Sequence, residues 1–313
     1  MIILVGGSGF IGSNLAFKLI KKKINFRILD IKINPKLIAH TTIVNILDKK
    51  KLINCIPANS VIINLAAVHY DDEKTEDYYL VNVQGSKNLC AAALLKNCRR
   101  IIFFSSVSVY GFAKPFADEN SPQNANNHYG KSKKKAELAY LNWNIKNKNN
   151  KLVILRPTAI FGPGNRGNIF NLINQIYKGP IFIVGNGKNT KSLAYIENIT
   201  DFILYILPLK DKIMIHNYVD EPQLTLKELI IFCKIKFNNT ENIKKIPYFI
   251  LFGSAFILDF LSFIFNKKFK INRMRIKKLV TESSYKANLN GFVPKYTLKQ
   301  GLEKTIKKEF DIF

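Results

Sequence analysis

The first twelve residues constrain the fold more than any other stretch. An unbroken apolar run, Ile2 to Val5, gives way to Gly6-Gly7-Ser8-Gly9-Phe10-Ile11-Gly12. A strand covered on both faces of a parallel sheet needs such a run, and glycines at this spacing let the backbone turn sharply, approach a pyrophosphate and pack the next helix on the sheet. The stretch therefore reads as strand, phosphate loop, helix. The helix N-terminus adds unpaired N–H groups and a partial positive charge, so Gly6, Gly9, Phe10, Ile11 and Gly12 are expected to line an anion.

A second apolar strand, Phe26 to Leu29, ends in Asp30, eighteen residues after Gly12. An acid at that place can accept from the adenine ribose hydroxyls of NAD and would repel the extra phosphate of NADP. Farther on, alternating apolar strands and amphipathic helices predict an α/β fold, a Rossmann-type doubly wound parallel sheet. The expected elements are a helix over 13–23, strands at 42–46, 61–67, 101–104 and 152–155, a short helix over 49–56 and a long one over 77–97. The fourth strand runs into Leu65-Ala66-Ala67, small residues suited to lying against a cofactor.

The fifth strand delivers Ser105-Ser106-Val107-Ser108-Val109-Tyr110-Gly111, and Tyr129-Gly130-Lys131-Ser132-Lys133 follows. Helical positions i and i+4 share a face, so Tyr129 and Lys133 point the same way. A free phenol titrates near 10, too high for a base at neutral pH, and a neighbouring ammonium together with a cationic nicotinamide would favour its ionised form. Ser106 would hydrogen-bond the reacting hydroxyl. A lone Tyr-x-x-x-Lys is usually a helix surface; behind a dinucleotide loop and a strand-end serine cluster it reads as catalytic.

Beyond residue 165 the alternation turns irregular. Helices are expected to about Lys178 and over 195–207, and a strand at 181–184. A further strand, 214–219, is expected in the main sheet. Capping boxes at Thr225 to Glu228 and Thr297 to Gln300 open two more helices. The expected division is a cofactor domain over 1–165, to which 195–220 returns, and an interwoven substrate lobe over 166–194 and 221–313.

The four cysteines (Cys55, Cys90, Cys98, Cys233) show neither metal nor redox spacing, so a reduced, cytoplasmic setting with no metal is expected. Met1 leads directly into the first strand, and no signal peptide is expected. The formal charge is +26, and only seven of the 48 basic residues are arginine. No basic stretch is interleaved with stacking aromatics, which speaks against nucleic-acid binding. Such a charge also suits an anionic membrane or a phosphorylated substrate.

Taken together, these motifs resemble the extended short-chain dehydrogenase/reductase family, in its nucleotide-sugar epimerase branch, over essentially the whole chain. The resemblance implies NAD as cofactor, Asp48 beside the adenine amino group, and Ser106, Tyr129 and Lys133 as the catalytic set. It also implies Asn82 and Ser105 beside the cofactor and Ser108 beside the sugar. Family members that act as 4,6-dehydratases carry an acidic pair where this chain has Val107 and Ser108, which speaks against dehydration.

A closer similarity, in His69-Tyr70-Asp71-Asp72, Asn165-Arg166-Gly167-Asn168, Lys191-Ser192-Leu193-Ala194-Tyr195 and Gly291-Phe292-Val293-Pro294, is to bacterial enzymes that epimerise N-acetylglucosamine at C4 while it is carried on undecaprenyl diphosphate. Soluble UDP-glucose 4-epimerases usually have Arg where Lys191 stands. Asn168, Lys191 and Arg275 are the expected diphosphate ligands. The same reaction on a UDP-linked sugar, a 4-ketoreductase and a non-catalytic NAD-binding protein are the alternatives. The aromatic run from Pro247 to Phe265, followed by Lys267, Lys268, Lys270, Arg273, Arg275, Lys277 and Lys278, suits a helix lying on an anionic membrane surface as well as it suits a core helix. A peripheral place on the inner face of the cell membrane and a homodimer complete the expectations.

Overall fold

The structure is a computed structural model that describes residues 1–69, 74–249, 252, 277 and 280–311. Arg275, most of the aromatic run and basic cluster after Pro247, and Tyr70, Asp71 and Asp72 lie outside the described residues.

The chain begins with β1 (Ile2–Val5), α1 (Phe10–Lys21), β2 (Phe26–Asp30), β3 (Thr41–Ile43), α2 (Lys49–Cys55), β4 (Val61–Asn64), α3 (Thr75–Tyr79), α4 (Gly85–Leu95), β5 (Arg100–Phe104), α5 (His128–Ile145) and β6 (Lys151–Pro157). It continues with β7 (Ala159–Phe161), α6 (Asn168–Lys178), β8 (Ile181–Val184), β9 (Thr190–Lys191), β10 (Leu193–Tyr195), α7 (Ile196–Ile206), β11 (Ile213–Tyr218), β12 (Leu224–Thr225), α8 (Leu226–Lys236), β13 (Ile243–Ile246) and α9 (Leu298–Phe310).

Seven of these strands form one parallel sheet in the order β11-β6-β5-β4-β1-β2-β3. Because successive side chains alternate between faces, each strand feeds two cores. Ile2, Leu4, Ile28, Ile63, Ile102 and Leu155 face α1 and α7. Ile3, Val5, Leu29, Ile62, Ile101 and Ile154 face α2, α4 and α5. That is why the strands are continuous apolar runs rather than alternating ones.

The strand order reverses between β1 and β4, and there the C-terminal ends leave the crevice in which open α/β sheets bind ligands. α7 returns to pack on α1, where Lys18 pairs with Asp201 at 2.5 Å, and β11 completes the sheet edge. The remaining strands pair locally: β10 with β7, β12 with β9, β13 with β8.

The long helix expected over 77–97 runs from Thr75 to Leu95, with one irregularity inside it. A π-helical turn over Leu80–Gln84 separates α3 from α4. It holds Asn82, whose amide bonds Val68 on one side and Ser132 on the other, and it leads into Gly85 at the start of α4, where a Cβ would lie 2.7 Å from Ile46. A single wide turn brings both residues against their neighbours, as such turns often do near functional sites. The fourth strand ends at Asn64, short of Leu65 to Ala67: Asn64 Oδ1 accepts from Ala66 N–H, which turns the chain out of the ladder. Helix α1 starts at Phe10, three residues earlier than its pattern suggested, with Gly9 as N-cap.

Candidate active site

Two clusters meet at the C-terminal edge of the sheet. The first is built on the glycine loop. Gly6 sits at φ +76, in the left-handed region, and a Cβ there would lie 2.5 Å from the Ala66 nitrogen. Only glycine allows β1 to leave the sheet this close to the chain after β4. Two residues on, the Ser8 N–H donates to Asp30 Oδ2 at 2.9 Å, while Asp30 Oδ1 accepts from Lys32 N–H at 3.1 Å. The loop, Asp30 and Leu65-Ala66-Ala67 are thereby brought together.

This cluster fits a dinucleotide. Gly9 caps α1 without a side chain, leaving the first-turn N–H groups of a twelve-residue helix toward the loop. A Cβ at Gly9 would meet only the Gly6 carbonyl, at 3.5 Å, so one side of the loop stays open for close approach. Ser8 Oγ is buried and, among the described residues, has no hydrogen-bond partner, an orphan that a bound phosphate oxygen would satisfy.

The second cluster surrounds the end of β5. Ser106 caps a 3-10 turn over Val107–Tyr110: its Oγ accepts from Ser108 N–H and donates to Ser108 Oγ, each at 3.1 Å. Asn127 caps α5 by accepting from Gly130 N–H at 2.7 Å. Gly130 packs directly against the Ser108 carbonyl, where a Cβ would not fit, so the start of α5 lies on the serine turn. That close approach places the Tyr129 hydroxyl within hydrogen-bonding reach of Ser106. Lys133, one turn later and 2% exposed, donates from Nζ to the Phe104 carbonyl at 2.7 Å and lies over the rings of Phe103 and Tyr129, at 5.0 and 5.8 Å.

The electrostatics depart from the expectation of a phenol ionised by its ammonium neighbour. Burial pushes the Tyr129 phenol up to about 12, the Ser106 hydrogen bond pulling it down and the nearby Tyr78 phenol pushing it further up. Burial likewise pulls the Lys133 ammonium down to about 7, opposed by the Glu137 carboxylate. Desolvation outweighs the pairing, because Nζ bonds a backbone carbonyl rather than the phenol oxygen. In the chain by itself Tyr129 is therefore a neutral phenol at neutral pH.

Other expected site residues have their side chains engaged with the protein. Ser105 Oγ donates to Glu137 at 2.5 Å, the Asn82 amide holds Val68 and Ser132, and Asp48 caps α2 by accepting from Lys51 N–H at 2.9 Å. Asn82 thus fixes the loop after β4 against α5, and so ties the first cluster to the second. Lys191 lies on β9, half-buried, with Nζ donating to the Thr281 carbonyl at 2.9 Å; burial pulls it down to about 8, with Glu282 opposing. Asn168 opens α6 and is exposed.

The sequence reading passed over Glu137 and Arg156, each 2% exposed and joined at 2.7 and 2.9 Å. A signal for them exists: an arginine inside the buried strand Lys151–Pro157 requires a partner, and Glu137 lies four residues beyond Lys133.

The family model for the NAD dependent epimerase/dehydratase family matches residues 2–218. The N-acetyl-alpha-D-glucosaminyl-diphospho-ditrans,octacis-undecaprenol 4-epimerase of Escherichia coli O157:H7 is 38% identical, across 99% of this chain and 95% of its own length. The UDP-glucose 4-epimerase of Vibrio cholerae is 29% identical across 65% of each chain. Among solved structures, the UDP-glucose 4-epimerase of Thermotoga maritima superposes with a TM-score of 0.79 at 20% identity, over 99% of this chain and 98% of that one. The UDP-N-acetylglucosamine 4-epimerase of Bacillus cereus gives 0.75 at 18%, over 97% and 94%. At those identities the solved structures bear on the fold alone. With the family model spanning more than half of the chain and a 38% identical relative spanning nearly all of it, the chain belongs to the NAD dependent epimerase/dehydratase family.

Proposed function

We propose that this chain is an NAD-dependent sugar 4-epimerase that interconverts N-acetylglucosamine and N-acetylgalactosamine on an undecaprenyl-diphosphate carrier, in the synthesis of surface polysaccharide of the O-antigen type. The observation that carries the reaction class is the meeting of Ser106, Tyr129 and Lys133 at the sheet edge that also carries the glycine loop. Full-length similarity to the Escherichia coli enzyme supports the carrier.

Bound NAD supplies a hydride acceptor and donor, and a positive charge beside the phenol. Gly6, Gly9, Phe10, Ile11 and Gly12 hold its pyrophosphate, Asp30 its adenine ribose, and Leu65 to Ala67 flank it. Tyr129 takes the proton of the sugar O4 hydroxyl as the C4 hydrogen leaves, and returns it when the hydrogen comes back to the opposite face. Positive charge on either side of the ring is what brings a phenol at about 12 into range as a base. Ser106 orients O4, with Ser108 fixing the Ser106 hydroxyl, and Lys133 holds the nicotinamide ribose. Inversion requires the sugar to turn about its diphosphate linkage, so the carrier must be gripped independently of the ring. We assign that grip to the lobe formed by 166–194 and 221–313, with Asn168, Lys191 and Arg275 as its ligands.

A membrane-bound carrier also requires the enzyme to reach the bilayer. Among the described residues no helix is long and apolar enough to cross a membrane. We assign contact with the inner membrane surface to the sequence after Pro247, where Phe249 is 74% exposed and seven basic residues follow the aromatic run. A homodimer is also part of this reading.

The test offers the purified protein UDP-N-acetylglucosamine and the undecaprenyl-diphosphate-linked sugar in parallel and follows inversion at C4. Turnover of the lipid-linked sugar, with sedimentation on anionic vesicles that high salt partly reverses, is the expected result. Turnover of the UDP sugar alone, with the protein left in the supernatant, would assign the nucleotide-linked substrate instead.

A further inference from the structure

Among the described residues, one buried carboxylate outside the expected catalytic set accepts four hydrogen bonds. Glu137 sits one helical turn beyond Lys133 on α5, and the two share a face with equal burial, 2% exposed each. Its carboxylate is saturated by four donors. Oε1 accepts from Arg156 Nε at 2.9 Å and Ser105 Oγ at 2.5 Å, and Oε2 from Arg156 Nη2 at 2.7 Å and Gln123 Nε2 at 3.0 Å. The guanidinium is held in turn: Nη1 donates to the Tyr110 hydroxyl at 2.7 Å and to the Glu119 carbonyl at 3.2 Å.

A buried ion pair of this kind is seldom needed for stability, since well-packed apolar residues of similar volume commonly serve as well or better. What apolar residues could not do is act on Lys133. That ammonium lies in an apolar pocket, over the Phe103 ring and with the Phe104 carbonyl as its acceptor, where burial favours the neutral amine. Among the described residues, the charged and titratable groups around it are these. Tyr129 and Glu137 lie on α5, Arg156 of β6 faces Glu137, and Tyr78 of α3 faces Tyr129.

We propose that Glu137, clamped by Arg156, is a positioning residue whose fixed carboxylate opposes the neutralisation of Lys133 by burial and thereby sets the conditions under which Tyr129 can work as a base. The proposal rests on the 4-epimerase reading for its kinetic consequence, though not for its electrostatic one. Four donors fix the carboxylate so that it cannot turn toward Lys133. Glu137 therefore acts through space and leaves the ammonium free to reach the nicotinamide ribose. Loss of this charge would let burial neutralise Lys133, and the phenol would lose one of the two positive charges that draw it down.

The experiment uses the full chain loaded with NAD, comparing wild type, Glu137→Gln, Glu137→Asp and the double variant Glu137→Gln with Arg156→Met. The double variant leaves no orphaned guanidinium and so separates loss of the field from loss of the fold. The first readout is the ultraviolet titration of the Tyr129 phenolate, taken as a difference against Tyr129→Phe in each background. The second is the pH profile of kcat and of KM on whichever sugar wild type turns over. With the charge of bound NAD drawing the phenol into the range where Lys133 still carries its proton, we expect the phenolate titration to move to higher pH in the double variant, and the alkaline limb of kcat to move down by about one pH unit. That shift corresponds to about tenfold slower turnover above the limb, with KM unchanged and Glu137→Asp recovering part of the loss. Phenolate titrations and profiles that superimpose on wild type, with only the melting temperature lowered, would overturn the proposal and leave the pair a packing device. A shifted phenolate titration in a protein that turns over neither sugar would uphold the positioning role while refuting the 4-epimerase reading.

Discussion

Replacing Gly6 and Gly9 separately by alanine should divide two functions of the glycine loop. At Gly6 the new methyl would lie 2.5 Å from Ala66 N, 2.6 Å from Ala66 Cα and 2.9 Å from Leu65 C, all backbone atoms. Ordinary contact begins near 3.4 Å, so the two chains must separate by about 0.9 Å. They are pinned against that movement by Gly6 N–H donating to Leu29 O and Leu65 N–H to Val5 O, both at 2.8 Å. A non-glycine residue at φ +76 costs about 1–2 kcal/mol and overpacking about 1–3 kcal/mol more, so Gly6→Ala should destabilise by about 2–5 kcal/mol. Gly9 has φ −71, and its methyl would meet nothing closer than 3.5 Å. Gly9→Ala should therefore unfold within about 0.5 kcal/mol of wild type, the usual range for a harmless substitution, yet bind NAD at least about tenfold more weakly because the methyl occupies the approach to the pyrophosphate. Urea unfolding and calorimetric titration with NAD measure the two quantities. Wild-type affinity in a folded Gly9→Ala protein would refute the loop as the pyrophosphate site, and wild-type stability of Gly6→Ala would refute the close-approach argument.

Three further outcomes are expected. Tyr129→Phe should fold and bind NAD normally while kcat falls by about a hundred- to ten-thousandfold, the usual range for loss of general base catalysis; retained turnover would move the base elsewhere. Asp30→Ala should weaken NAD by about 1.5–3 kcal/mol through loss of a charge-assisted acceptor, and a protein that preferred NADP without any substitution would contradict the role given to Asp30. Asp220 is fully buried, and burial pushes its carboxyl up to about 6, despite donors at Tyr195 N–H, Asn198 and the Tyr218 hydroxyl that pull it down. The fold therefore binds this proton more tightly than the unfolded chain does. The resulting stabilisation, at most about 3 kcal/mol for two units, is complete below about pH 4 and is lost as pH rises through about 6. The stability advantage of wild type over Asp220→Asn should grow between about pH 7 and about pH 5 in urea unfolding, and parallel curves would exclude the linkage.

Much of the fold was written in local pattern. Continuous apolar runs marked the strands because both sheet faces are covered, the Thr225 and Thr297 capping boxes marked α8 and α9, and Ile2 to Gly12 located the ligand crevice, since loop, helix start and strand end are contiguous in the chain. Tyr129 and Lys133 were legible as a pair because helical periodicity alone places them on one face. What tertiary structure alone decided depends on contacts between segments far apart. The π-helical turn sets Asn82 where its amide reaches both Val68 and Ser132, segments that no local pattern links to it. Tyr129 stands at Ser106 because Gly130 lets α5 rest on the serine turn. The phenol and the ammonium carry shifts opposite to those their pairing suggests, because burial is a property of the surroundings and not of the motif. Glu137 acquires its meaning only when the sheet carries Arg156 to it from nineteen residues away.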